Sequence, residues 1–180
     1  MNTIDSLYNF ALLSPFSDIA EHLETLRDYA SKCDEIAEFG VRTGISTIGL
    51  LMGHPKKMTS YDYHNFPYVR EYLEATQLAG IDFTFKEQDD CKELIEPVDF
   101  LFIDSEHTYE QTHRELQMHS EQVRRWIGFH DTFWELSTQV VEGPSWPLWR
   151  AINELLDTSK WHVILNRLNN NGLTIVERIK

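Results

Sequence analysis

The sequence is poor in the residues that mark several common protein classes. Its two cysteines, Cys33 and Cys91, form neither a C-x-x-C pair nor a disulfide framework, which fits a reducing, cytoplasmic compartment. Glycine (8) and proline (6) are scarce, so collagen-like and low-complexity chains are excluded. Basic residues are outnumbered, with 16 Lys and Arg against 29 Asp and Glu, a net charge of -13 and a pI of about 4.9. A chain this acidic repels a polyanion at long range, and no nucleic-acid partner is expected. Long apolar runs are also missing: the longest mostly apolar stretch, 45–52, contains Ser46 and Thr47 and is too short to span a bilayer. The first residues include Asp5 and no Lys or Arg, unlike the basic start of a signal peptide, and no membrane association is expected. There is no internal repeat and no linker-like tract.

What remains is a foldable composition. With 42% hydrophobic and 12% aromatic residues in 180, the chain has the size of one domain around one sizeable core, spanning 1–180. After a loose stretch to Pro15, Ile19, Leu23, Leu26 and Ala30 follow helical spacing behind a cap at Ser17 or Asp18, so that 1–33 reads as an N-terminal helical segment. A strand is predicted over Glu35–Phe39, a tight turn over Gly40–Gly44, a helix over Ser46–Gly53 and a strand over Lys57–Tyr61 ending on Asp62. Helical spacing resumes over Tyr68–Ala79 and stops at Gly80, before an alternating strand over Ile81–Phe85. Val98–Ile103 is a nearly continuous apolar run, as in a parallel strand covered on both faces. Thr108–Gln111 has capping-box form and opens a helix marked by Tyr109, Thr112, Leu116 and Val123, followed by a strand over Trp126–Phe129. Residues 132–147 read as an irregular active-site loop, in which Trp134 and Trp146 are lid candidates and Gly143 allows motion. A helix containing Trp149, Ile152, Leu155 and Leu156 comes next. Two last strands then flank Asn169-Asn170-Asn171-Gly172, a hairpin signal. The sum is an α/β fold, a Rossmann-like three-layer sandwich whose mostly parallel seven-stranded sheet ends in an antiparallel hairpin.

In open parallel sheets, ligands bind beyond the carboxyl ends of the strands. Those ends hold Glu38 to Ser46, Tyr61 to His64, Gln88 to Asp90, Asp104 to His107, and His130-Asp131. Gly40 and Gly44 let the backbone turn sharply and approach a ligand, and Glu38 adds an acidic group that packing alone does not need. Asp62 lies where an acidic side chain can accept from ribose hydroxyls, although aspartate is also an ordinary turn residue. Asp104 and Asp131 end neighbouring strands, about 4.8 Å apart, and can share a divalent cation. The other reading has His130-Asp131 capping a strand and ordering the loop. His107 reads either as a proton acceptor or as a loop hydrogen-bonding residue. His22, His54, His64, His113, His119 and His162 show no ligand spacing.

The segments IAEFGVRTGIST (Ile36–Thr47), Tyr61-Asp62, VDFLFIDSEHTYE (Val98–Glu110) and FHDT (Phe129–Thr132) together resemble class I S-adenosylmethionine-dependent methyltransferases. The likeness covers most of the chain and points to the small O-methyltransferases related to cephalosporin-hydroxylase-like and macrolide sugar enzymes. It implies that Glu38, Gly40, Gly44 and Ser46 line the methionine part of S-adenosylmethionine, Asp62 the ribose, and Gln88 with Asp89 the adenine. Asp89 reads equally as a helix N-cap before Cys91. Where that family usually has another glycine this chain has Arg42, which could meet the cofactor's carboxylate. The resemblance also implies Mg²⁺ held by Asp104, Asp131 and His130, with His107, His130 and Asp104 as catalytic groups acting on a hydroxyl of a small molecule or sugar. A histidine ligand would shift the preference toward Mn²⁺, Fe²⁺ or Zn²⁺. A homo-oligomer could complete the acceptor pocket. The missing G-x-G-x-x-G spacing sets a nucleotide-dependent oxidoreductase aside, and a cofactor-binding or interaction module without catalysis stays open.

Overall fold

The computed structural model describes residues 2–14, 17–134, 143–144 and 146–179, with the backbone alone at 134, 143, 144 and 146. Its first helix, α1 (Ile4–Leu12), stands where a loose stretch was expected. Thr3 opens it with a reciprocal cap, its hydroxyl taking the Ser6 N–H while the Ser6 hydroxyl takes that of Thr3. Serine in place of Glu or Gln in the box is what hid the signal. Ile4, Tyr8 and Ala11 give α1 its buried stripe.

A 3-10 turn at Ala20–His22 leads into α2 (Leu23–Ala30). Then follow β1 (Glu35–Phe39), α3 (Ile45–Leu51), β2 (Lys57–Asp62), α4 (Val69–Ala79), β3 (Asp82–Glu87), β4 (Val98–Ile103), α5 (Tyr109–His119) and β5 (Val123–His130). The segment read as an irregular loop holds a short antiparallel ribbon, β6 (Phe133–Trp134) with β7 (Gly143–Pro144). The chain ends with α6 (Trp146–Asp157), β8 (Trp161–Arg167) and β9 (Leu173–Arg178). The lid expected of Trp134 and Trp146, hinged at Gly143, rests on side chains and on residues 135–142 and 145 that lie outside the described ones.

The seven main strands run in the order β3-β2-β1-β4-β5-β9-β8, with β9 antiparallel to both of its neighbours. Strand alternation divides the core in two. Ile36, Met58, Phe100, Phe102 and Trp126 meet α1 to α4 on one face, while Ala37, Leu101, Ile127 and Phe129 meet α5 and α6 on the other. Every β4 side chain except Asp99 is buried, as its unbroken apolar run requires. Strand order reverses at β1 and β4, so the switch point lies where the Gly40–Gly44 turn meets Asp104.

Gly40 is indispensable at that junction. Its φ is +84°, and a Cβ there would lie 2.1 Å from the main-chain oxygen of Asp104. Gly80, which caps α4 at φ +72°, would meet nothing within 4 Å. Gly80→Ala therefore bears only the left-handed backbone penalty, roughly 1–2 kcal/mol, whereas Gly40→Ala adds a backbone clash and loses more. Urea unfolding of both variants checks this, and equal losses would contradict the packing argument.

Candidate active site

Behind the glycine turn sits a wholly buried acid. Glu38 accepts from Ser46 Oγ (2.7 Å), Thr47 Oγ1 (2.8 Å) and Ser60 Oγ (2.6 Å). Burial raises its carboxyl to about 7 against the pull of those hydroxyls. The α3 N-cap, Gly44, has no capping side chain, so Ser46 and Thr47 fasten the helix start to β1 through Glu38. Glu38 and Ser46, expected along the methionine part of the cofactor, are thus placed beneath the turn, 0% and 3% exposed.

Asp62 supports the same turn from β2. Its Oδ2 accepts from the Val41 and Arg42 N–H groups at 2.8 and 2.9 Å, and its Oδ1 from His64 N–H at 2.9 Å. Arg42 takes a left-handed φ of 51° and pairs with Asp18 at 2.7 Å. A cleft of about 200 Å³ opens here, lined among others by Gly40, Arg42, Asp62, Gln88, Asp104 and His107. Asp90 also lines it. Asp89 instead caps the 3-10 turn Asp90–Lys92 through the Cys91 N–H and pairs with Arg114, so the capping reading describes its contacts here. Arg42 also borders a larger cavity of about 580 Å³ between α1, α3 and α4, where apolar side chains such as Leu7, Phe10 and Ile45 stand beside polar ones such as Ser17, Asp18 and Glu71.

The rim of β4 and β5 concentrates charge. Asp131, at a left-handed φ of 55°, turns its carboxylate back over the strand end. His130 Nδ1 lies 3.1 Å from Asp104 Oδ1 and 3.2 Å from Asp131 Oδ2. Its Nε2 donates to the main-chain oxygens of Asp18 (2.9 Å) and Asn170 (3.0 Å). Both ring nitrogens face acceptors, so the buried ring carries both protons. Burial opposes that charge, but Asp104 and Asp131 outweigh it and push His130 up to about 11. His107 Nε2 meets Asp131 Oδ2 at 2.7 Å and Asp104 Oδ1 at 3.4 Å. Those carboxylates overcome burial and raise His107 to about 9. The two imidazoles in turn hold both carboxyls below their ordinary value.

Asp104, His107 and Asp131 offer three ligand atoms within 4.8 Å of one another, a donor set that fits a divalent cation. The histidine in that set is His107; His130, expected to be a ligand, spends both nitrogens on protein acceptors. The Asn-rich turn is likewise more than a hairpin: Asn170 accepts the Glu21 N–H and donates to the Ser17 main-chain oxygen, which ties it to the N-terminal segment and to His130.

The fold is matched by known proteins. A family model described as a methyltransferase domain covers residues 37–132. The chain belongs to that family. Among solved structures, the O-methyltransferase from Bacillus cereus in complex with SAH is 15% identical, covering 98% of this chain and 89% of that one at a TM-score of 0.67. The O-methyltransferase TomG from Streptomyces achromogenes, involved in tomaymycin synthesis and solved with SAM, is 15% identical over 100% and 91% at a TM-score of 0.61. The N-methyltransferase NodS from Bradyrhizobium japonicum is 14% identical over 93% and 100% at a TM-score of 0.60. At such identities the likeness concerns the fold. No curated protein sequence matches the chain. Among the described residues of this methyltransferase domain, no helix is long and apolar enough to cross a membrane.

The raised histidines set the sign of a pH dependence. A group whose folded pKa exceeds its unfolded one stabilises fully below the unfolded value, about 6.5, and loses that contribution as pH rises through the folded value. In EDTA the domain should therefore lose stability steadily from pH 6.5 to 9. His107→Gln should take away about half of that part of the slope, because His130 acts over the same range and on to still higher pH. Denaturant midpoints at pH 6, 7, 8 and 9 give the answer, and a midpoint that climbs over this range would refute the charge assignment.

Proposed function

We propose that this domain is an S-adenosylmethionine-dependent methyltransferase acting on a hydroxyl of a small molecule, assisted by a divalent cation at the β4–β5 rim. The observation that carries the reading is the convergence of Asp104, Asp131 and His107 beside a cleft bordered by the glycine turn and Asp62. When bound, the cofactor supplies an electrophilic methyl group on a sulfonium, so the protein's work is alignment and help with deprotonation. Gly40 leaves the turn bare enough for close approach. Asp62 and Glu38 fix the turn from below, which presets the cleft before any ligand arrives. Asp104, Asp131 and His107 would hold the cation, His107 giving up the Nε2 proton that it otherwise shares with Asp131. A bound divalent cation lowers the pKa of a coordinated hydroxyl. The cavity beside Arg42, apolar at Leu7, Phe10 and Ile45 and polar at Asp18 and Glu71, suits an acceptor with an apolar body and polar groups, and its volume of about 580 Å³ lies in the range of small-molecule pockets.

Calorimetry with S-adenosylhomocysteine in EDTA, then with Mg²⁺ or Mn²⁺, tests the reading. Wild-type protein should bind in the micromolar range, about -8 kcal/mol. Asp62→Ala should weaken binding at least tenfold, while Asp131→Asn should keep the affinity measured in EDTA and lose any response to metal. Absence of binding in the wild type would remove the cofactor assignment, and equal losses in both variants would remove the division of roles.

A further inference from the structure

A second pair of acids lies at the cleft, apart from the Asp104–His107–Asp131 set. Asp90 lines the cleft from the 3-10 turn that follows β3, and Glu115 stands behind it on α5, 0% exposed. One side-chain amide bridges them: Gln111 Nε2 donates to Asp90 Oδ1 and to Glu115 Oε1, each at 3.1 Å. Ser105 Oγ gives Glu115 Oε1 a second, short hydrogen bond. Glu115 Oε2 is buried with no amide, hydroxyl or cationic partner among the described residues.

The neighbouring charges do not neutralise the pair. Arg114 is drawn off to Asp89 Oδ2 at 3.0 Å and to the Cys91 main-chain oxygen. The His119 ring contacts the main-chain oxygen of Asp90 rather than either carboxyl. Two ionised carboxylates cannot share such a pocket without a cation, so one holds a proton. Burial and the neighbouring Asp90 both lift Glu115 well above the ordinary carboxyl range. The orphaned Oε2 is where that proton belongs.

We propose that Glu115 is a positioning residue: a neutral acid that donates through Oε2 to Asp90, keeping Asp90 ionised and aimed at a hydrogen-bond donor at the far end of the cofactor cleft. Gln111 serves both carboxyls, which explains why it does not close the capping box on Thr108. The inference rests on the cofactor reading above, since the donor would be the amino group of the cofactor's base. A lone carboxylate in so dry a place would tend to take up a proton and stop accepting; sharing Glu115's proton lets Asp90 stay ionised.

Two measurements test it. Infrared difference spectra at pH 7 should show a protonated carboxyl in wild type minus Glu115→Gln and none in a control, wild type minus Glu121→Gln; Glu38, about half protonated at this pH, cancels in both. Calorimetry with S-adenosylhomocysteine should give Glu115→Gln, whose amide still donates, an affinity within threefold of wild type. Glu115→Val, folded by circular dichroism, should bind at least tenfold more weakly. A missing carboxyl band, or a folded Val variant that binds like wild type, overturns the proposal. A loss as large in Glu115→Gln as in Glu115→Val also overturns it, by showing that the carboxyl is needed as an anion. A wild type that shows the band yet binds no S-adenosylhomocysteine overturns the cofactor reading and leaves the shared proton standing.

Discussion

Two carboxylates at the ends of adjacent buried strands repel each other unless something cationic stands between them, and in this domain that is His130. Its ring is 1% exposed, with Asp104 and Asp131 on one nitrogen and two main-chain oxygens on the other. Removing one partner from such a buried arrangement typically costs about 3–5 kcal/mol, because the charges left behind stay dry. The Nε2 partners come from residue 18, ahead of the first strand, and residue 170, in the last hairpin. One protonated ring thus binds the segment before β1, the β8–β9 hairpin and the β4–β5 rim into a single unit, and the left-handed backbone at Asp131 is tolerated because that unit holds it.

The polar residues nearest the glycine turn follow the same logic. Glu38 would face a ligand if polarity alone decided its direction, as Asp62, which lines the cleft, does in part. Instead Glu38 collects three hydroxyls under α3, and Asp62 collects three main-chain N–H groups from the turn and from His64. The turn is therefore rigid from below before its upper surface meets anything. Gly40 must pack against Asp104 for the same reason: the turn and the β4 end form one surface, and a side chain between them would separate the cleft from the rim.

Strands and helices were legible because their periodicities are local. The Val98–Ile103 run, the Gly80 stop and the Asn-Gly hairpin each follow from a few neighbouring residues, and each element forms there. The clasp was not legible, since nothing in Asn169-Asn170-Asn171 marks a partner some 150 positions earlier. His130 and His107 could not be ranked from sequence either: both sit beside an acid, and only the approach of the Asp18 and Asn170 oxygens fills the second nitrogen of His130. Asp90 and Asp89 differ by one position in a 3-10 turn, enough to send one side chain to the cleft and the other to a cap. A signal for Glu115 did exist, an acid at the buried i+4 position from Gln111 on an amphipathic helix, but its meaning depended on what faced it.

The fold is shared by solved methyltransferases that act on oxygen and on nitrogen, so the choice of acceptor atom falls to local charge. With His107 and His130 both protonated, the two carboxylates are balanced and the rim is close to neutral. Exchanging the His107 proton for a divalent cation leaves one net positive charge, set by two carboxylates, one imidazolium and the ion. Such a rim attracts an oxyanion as it forms and disfavours an ammonium ion. An amine needs no anionic intermediate, because the free base already has its lone pair, and for it the positive rim would be a hindrance. Under the proposed reading, His130 therefore does more than stabilise the strand ends: by keeping its proton it tilts the rim from neutral to positive once a cation arrives, and with it the chemistry toward a hydroxyl acceptor.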